Sequence, residues 1–572
     1  MSNELRTVGA GASIMKQGAL SIIMGPKQIY DFFDKGARYH FLQYLAILGS
    51  LVTMYLSIEY VAGKGTLGGL VALLFCALTV GGLTLLANLV EKLGGWFAWY
   101  PGLGYKTKSG AFKPLFGMSR PGPSIAPGVG AAKPDETFVR GARVVDGESL
   151  AHDLKQGVSA EDLEYLVEWG GVPVPYQSEP EHFLICGKTG AGKSQAINRM
   201  LRVVRKRGQA AVIADPIGKT GGYISRFSRP GDLVLNLFDA RTVAWSPFAE
   251  IRDDHDCQRI AKAAIPDANG DSQEWHFYAQ TVFAEVLRSM HRRGQNSVKE
   301  LLRLVMSASV AELVDVLKGS PAEILTAKGN DKMLSNTRGI ASVYLNAWTY
   351  LQDGGTFSVR DWVQGSDTSG GQWLFLTYKD DQMALCGNLV ATWLELAVVE
   401  GLSLSEDPKR RLWYIMDELD SLGKVTSLRL GLTKLRKYGG VCVAGLQSIA
   451  QLRRTYGHDE AQTLASCLST KLVLLAGDGE TAEWCEKELG RQEVIRPETS
   501  NSTSQRTGEL PSSSENRSTR VVEQPAVLAG EILTLPNLAG FLKLVGLPIA
   551  RVKLEYTPQP DNMPAFVAKT SD

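Results

Sequence analysis

The sequence predicts an α/β protein: a parallel sheet built around one phosphate-binding loop, interrupted by an all-helical insertion and preceded by a two-helix membrane hairpin. Three observations carry this. Gly187 to Ser194 reads GKTGAGKS between a strand-like and a helix-like run. From about Trp245 to Leu351 the texture is helical, and strand-like runs return only afterwards. Two long apolar runs stand between residues 41 and 90.

Composition sets the bounds. The 572 residues allow three or four units of roughly 100–200 residues each. Hydrophobic content of 44% and charged content of 21% exclude wholesale disorder. Sixty-one basic residues against sixty acidic ones exclude a chain-wide field that would hold nucleic acid, so any such contact is local. The cysteines, Cys76, Cys186, Cys257, Cys386, Cys442, Cys467 and Cys485, are scattered singly with no C-x-x-C pair. They read as small buried side chains in a reduced compartment.

After a short N-terminal segment (1–40), residues 41–61 are apolar apart from Glu59, and residues 66–90 carry no charge. Each run is long enough for the ~20 helical residues that cross ~30 Å of hydrocarbon. The four residues between them force an antiparallel hairpin within 41–100. Arg6, Lys16, Lys27, Lys35 and Arg38 precede it and Lys92, Lys106, Lys108, Lys113 and Arg120 follow it. The positive-inside bias then places both flanks, both termini and the α/β part in the cytoplasm. Trp96, Trp99 and Tyr100 suit an interfacial belt.

The segment 101–137, rich in Gly, Pro and Lys, reads as a connector. It is followed by Phe138 to Val145, FVRGARVV, which reads as one strand, and by a short helix from Glu148 to Lys155. His182 to Cys186 reads as a strand, Ser194 to Arg207 as a helix with one apolar stripe, and Ala210 to Ala214 as a second strand, which together make a βαβ unit. Residues 138–249 thus form the first part of the α/β domain, 250–365 an all-α domain, and 366–556 the second part of the sheet. Strands are expected at Trp373 to Tyr378, Leu412 to Met416, Gly440 to Gly445 and Leu472 to Ala476, with two more around the Gly-Leu-Pro turn between Phe541 and Tyr556. The Ser/Thr-rich stretch 496–520 reads as a surface loop and 557–572 as a tail.

The chemistry sits in few residues. Gly187, Lys188, Thr189, Gly190, Ala191, Gly192, Lys193 and Ser194 match G-x-x-x-x-G-K-S in the required strand-to-helix context. Glycines let backbone N–H groups wrap phosphates, Lys193 bridges the β and γ phosphates, and Ser194 ligates Mg²⁺. Such a loop implies ATP with Mg²⁺. LWYIM followed by Asp417 and Glu418 is an apolar strand ending in two acids. Asp417 suits the metal shell and Glu418 the general base toward the attacking water. Gln447 lies just past a strand end, where it is either a γ-phosphate sensor or a polar cap. Arg436 sits among Lys434 and Lys437 in a basic helix, which by itself reads as a solvated face. Asp215, Pro216, Gly218 and Lys219 follow the second strand, at the edge where ligands bind in such folds.

These residues, with the hairpin, FVRGARVV, His182, DPIGK, WSPF, MDELDSLG, LRKYGG and LQSIAQLRRTYG in order, resemble the coupling proteins of type IV secretion systems, the TraD and TrwB group of conjugative ATPases. The resemblance covers almost the whole chain. It implies a RecA-like P-loop domain with an all-α domain, assembled as a homo-hexamer with ATP between subunits. It implies an arginine finger at Arg436 and a glutamine sensor at Gln447. It also implies partners: single-stranded DNA bound to a relaxase, other relaxosome proteins, secretion-channel components and the bacterial inner membrane. The chain ends sixteen residues after Tyr556, whereas some relatives carry a long tail that docks the relaxosome, so the all-α domain is the expected cargo contact. Two other readings differ in class: an FtsK-type double-stranded DNA pump, and a receptor scaffold that binds ATP without sustained turnover.

Overall fold

The computed structural model describes residues 104–106, 112–114, 136–218, 221–268, 270–419, 421–504 and 512–569. The expected spans 41–61 and 66–90, the segment 1–40, most of the connector and Lys219 lie outside the described residues. The chain divides into two units, 1–126 and 127–572. In the first, Gly104–Lys106 pairs antiparallel with Phe112–Pro114.

The second unit is built on a ten-stranded sheet. Its strands in chain order are β1 (Val144–Asp146), β2 (Phe183–Cys186), β3 (Ala211–Ile217), β4 (Leu233–Leu235), β5 (Trp373–Lys379), β6 (Leu412–Met416), β7 (Gly440–Leu446), β8 (Thr470–Leu474), β9 (Ala539–Lys543) and β10 (Ile549–Lys553). Across the sheet they run β1-β10-β9-β8-β2-β7-β6-β3-β5-β4. All pairings from β8 to β4 are parallel. The hairpin of β9 and β10 adds antiparallel to β8 and carries β1 at its far edge. Strands buried on both faces need apolar side chains in both directions, which is why FLIC, LWYIM and GVCVAGL are continuous apolar runs rather than alternating ones.

The helix α1 (Lys193–Lys206) follows β2 and buries Ala196, Ile197, Met200, Leu201 and Val204, one stripe at helical spacing. The short helix α2 (Tyr223–Phe227) follows β3. Six α-helices then occupy the interval 250–365 among the described residues: Asp256–Ala264, Gln273–Arg292, Val298–Met306, Val310–Leu317, Asp331–Leu345 and Val359–Gln364. The break after Met306 is set by Ser309, whose side chain and Glu312 form a capping box that starts a new helix. The helix α3 (Met383–Gly401) is apolar and long enough by composition to cross a bilayer, yet it is largely buried beneath the sheet. Trp245 packs edge-to-face on Trp348 and on Trp393 of α3, and Phe283 packs on Trp348. This aromatic cluster joins the helical region to the helix that covers the sheet.

Two expectations differ from the structure. FVRGARVV is not one strand: Thr137–Gly141 pairs with Arg491–Ser504 in a separate three-stranded sheet, and Val144–Asp146 turns into the main one. Gly141, at φ 107°, makes the break. The stretch 496–520 is not wholly a loop, because Arg491–Ser504 and Ser512–Pro525 form an antiparallel ribbon around residues 505–511, which lie outside the described residues. The Thr and Val residues near its base suit strands, and the many Ser and Asn residues hid that signal. The expected tail also docks: Asn562 N donates to Ser225 O at 2.7 Å, Ala240 N to Val567 O at 2.8 Å, and Lys379 lies 3.6 Å over the Phe566 ring.

Candidate nucleotide site

The site forms where β2, β7, β6 and β3 end side by side. The register pairs Leu446 with Cys186, Met416 with Ala444, and Met416 with Ala214. The first residues past these strands are therefore brought together at one sheet edge, the place where ligands bind in open parallel sheets.

The phosphate loop is anchored on both flanks: Gly187 N donates to Leu446 O at 3.0 Å and Lys188 N to Leu475 O at 2.8 Å. Gly192 has φ 119°, and a Cβ there would lie 2.8 Å from Leu538 Cδ2, so the loop closes onto the strand hairpin only with glycine. Lys193 is buried and donates from Nζ to Gly187 O at 2.8 Å, which folds its ammonium back over the loop.

The other groups converge on it. Thr189 Oγ1 donates to Gln447 Oε1 at 3.0 Å. Ser194 Oγ lies 3.4 Å from Asp417 Oδ2, and the Tyr223 hydroxyl donates to that same oxygen at 2.8 Å. Asp417 Oδ1 is buried and makes no hydrogen bond. Burial pushes the Asp417 carboxyl up, opposed by the Tyr223 hydroxyl, the Lys193 charge and Ser194. A hydroxyl oxygen beside a carboxylate with one unused oxygen is an oxygen-only donor set suited to a hard divalent cation. The cradle of backbone N–H groups beside a lysine suits phosphates.

Asp215 is fully buried and accepts from Tyr223 N at 2.8 Å and Ile224 N at 2.7 Å. Burial raises its carboxyl to about 7, against the pull of those two N–H groups. Asp215 thus holds the start of α2, and α2 presents Tyr223 to Asp417. Pro216 and Gly218 lie at the end of β3 and just past it. Glu418 is half-buried, and Ser421 Oγ donates to its carbonyl at 2.9 Å. Tyr378, on β5, feels the charges of Glu418, Asp417 and Asp215, which add to the burial that raises its hydroxyl.

Lys193, Ser194, Asp417, Thr189 and Gln447 are therefore brought together. Arg436 is not joined to them: it is 61% exposed on the short turn Leu435–Tyr438 and pairs at 3.8 Å with Glu181. Tyr223 is the site residue that sequence reasoning missed, since a tyrosine six residues past the end of β3 carries no local signal. Asp215 of the DPIGK motif, which ends β3 and holds the N–H groups of Tyr223 and Ile224, is the hint.

The family model described as the type IV secretion-system coupling protein DNA-binding domain matches residues 166–555. The chain is 29% identical over 450 residues to the coupling protein TraD of Escherichia coli (strain K12), covering 77% of this chain and 61% of that protein. It is 24% identical to a conjugal transfer protein TraG of Escherichia coli, covering 63% of this chain and 62% of that one. It thus spans about three fifths of the length of these curated relatives. Among solved structures, the plasmid coupling protein TrwB in complex with ADP and Mg²⁺ is 35% identical, with a TM-score of 0.68 over 77% of this chain and 100% of that one. TrwB with the ATP analogue ADPNP gives 0.67 over 77% and 99%. The fold is accordingly RecA-like and nucleotide-binding, with a helical domain. With the family model spanning residues 166–555, over strands, loop and paired acids alike, this chain belongs to the coupling proteins of type IV secretion systems.

Proposed function

We propose that this chain is a membrane-anchored P-loop ATPase that works as a homo-hexamer, couples relaxase-bound DNA and its relaxosome to a type IV secretion channel, and drives transfer by hydrolysing ATP. The observation that carries this is the meeting of Lys193 and Ser194 with Asp417, and of Thr189 with Gln447, in a member of this family. Nucleotide complexes of TrwB, with ADP and Mg²⁺ and with ADPNP, support ATP and Mg²⁺ as the ligands.

The backbone N–H groups of Gly187 to Ser194 hold the phosphates, and Lys193 swings from the Gly187 carbonyl to the transferring phosphoryl group. Ser194 and Asp417 hold Mg²⁺, which supplies neutralising charge at the phosphate oxygens. Glu418 accepts the proton of the attacking water, and Gln447, tethered to Thr189, senses the γ-phosphate. Arg436, exposed and outside its own site, acts as an arginine finger on a neighbour's nucleotide. Residues 250–365 form the all-α domain between the two parts of the RecA-like domain, 138–249 and 366–556. The hairpin of 41–61 and 66–90 anchors the chain in the inner membrane with both termini and the ATPase part cytoplasmic.

The test is ATP hydrolysis by the purified chain, with and without single- and double-stranded DNA, beside plasmid transfer in mating. Lys193→Ala should abolish both, and transfer at normal frequency in that variant would refute the motor reading.

A further inference from the structure

Away from the phosphate loop, between the C-terminal half of α1 and the end of α2, lies a cavity of about 200 Å³ lined by Arg202, Arg205, Arg226, Phe227, Arg229 and Asn562. A single water needs only about 10–15 Å³ on this measure, so the space admits a polyatomic ligand.

The charges around it do not cancel. Arg205, on the cavity's buried side, is fully engaged: it donates to the carbonyls of Phe227 and Gly371, pairs with Asp232 and lies 3.4 Å over the Trp373 ring. Asp232 is equally committed, accepting from Arg205, Arg229 N and Trp373 N. Its one ion pair among the described residues is the one with Arg205. Arg226 pairs with Asp561 at 3.8 Å, and that carboxylate is half-exposed and already accepts from Ser225 Oγ at 2.6 Å. Arg202 and Arg229 have no ion pair among the described residues. The neutral side-chain amide of Gln559 faces Arg202, and with its oxygen turned toward the guanidinium it accepts from Nε at 2.6 Å. Burial, and after it the neighbouring Arg199 charge, lowers the pKa of the Arg202 guanidinium.

We propose that this cavity is a binding site for a phosphate-type oxyanion, gripped by Arg202, Arg226 and Arg229 and distinct from the phosphate loop. Planar guanidinium forks on two elements, with a side-chain amide at the rim, match tetrahedral oxyanion geometry and leave room for its oxygens. The same chemistry is offered by free inorganic phosphate and by a DNA phosphodiester.

The test compares the full-length chain in detergent with Arg202→Gln/Arg229→Gln, both saturated with ADPNP and Mg²⁺. One arm measures equilibrium binding of radiolabelled inorganic phosphate, and the other binding of a fluorescent single-stranded oligonucleotide across a salt series. The double variant should lose about tenfold or more in at least one arm, with ADPNP affinity unchanged. Loss in the phosphate arm alone assigns a free anion. Loss in the oligonucleotide arm, with a salt slope lowered by about one per lost contact, assigns the DNA backbone. Equal binding by both proteins in both arms overturns the site. Arg229→Gln alone, a change at an exposed side chain, carries the same comparison should the double variant not fold.

Discussion

The Tyr223 hydroxyl donates to Asp417 Oδ2 at 2.8 Å, across 194 residues of chain, and so shares that oxygen with Ser194 Oγ at 3.4 Å. Asp215 sets this bond by holding the N–H groups of Tyr223 and Ile224. Tyr223 is thus a positioning residue for the carboxylate proposed to hold Mg²⁺. Hydrogen bonds to charged groups are worth about 1.5–3 kcal/mol. Tyr223→Phe should lower turnover about tenfold or more and shift the Mg²⁺ titration to higher concentration. Nucleotide affinity without Mg²⁺ should stay the same. Steady-state rates over a Mg²⁺ series, with fluorescent-nucleotide binding, read both.

Gly445 sits where β7 passes the end of β6. A Cβ there would lie 1.8 Å from the Asp417 carbonyl oxygen, and Gly445 O accepts from Leu419 N at 3.1 Å. Backbone cannot yield as a flexible side chain does. Gly445→Ala should cost about 3 kcal/mol and displace the Asp417 turn, so the melting temperature and the turnover fall together. A variant with the parent's melting temperature would contradict this packing.

His182 welds β2 to its neighbours. Its Nδ1 accepts from Cys442 N at 3.1 Å, which leaves Nε2–H to donate to Leu432 O at 3.0 Å. Burial lowers its pKa from 6.5 to about 4. The folded state therefore keeps the ring neutral, while the unfolded chain takes up a proton below about 6.5. This contribution is fully present above pH 6.5 and is lost as the pH falls toward 4, a total of about 3 kcal/mol at 1.36 kcal/mol per unit. Melting temperatures measured from pH 7.5 to 5 should drop, and His182→Gln should flatten that part of the profile.

Arg436 makes a 3.8 Å pair with Glu181 and stands outside its own chain's site. If it serves a neighbour, Arg436→Ala subunits mixed with unaltered ones should depress activity more steeply than their fraction. ATPase rates over a mixing series check this, and a strictly linear loss means that each site works alone.

The legible parts of the sequence were those governed by local physics. The phosphate loop, α1, the apolar strands and the acids after Met416 all declare themselves within a dozen residues, because phosphate binding and two-sided burial each demand a fixed local pattern. The two-part course of FVRGARVV is not legible, since Thr137–Gly141 exists as a strand only through a partner hundreds of residues away, and the Ser-rich ribbon is not, since its Ser and Asn residues carry no strand pattern. Strand pairing is a long-range bond, and no local pattern encodes which partner arrives.

By itself, then, the sequence determined the fold class, the phosphate loop and the candidate acid pair. Only the tertiary structure decided that Asp417 sits under Tyr223, that Gln447 meets Thr189, and that four arginines of α1 and the end of α2 surround one cavity. The reason is the sheet order, which brings β2, β7, β6 and β3 side by side and so converts distant sequence positions into neighbours within hydrogen-bonding distance.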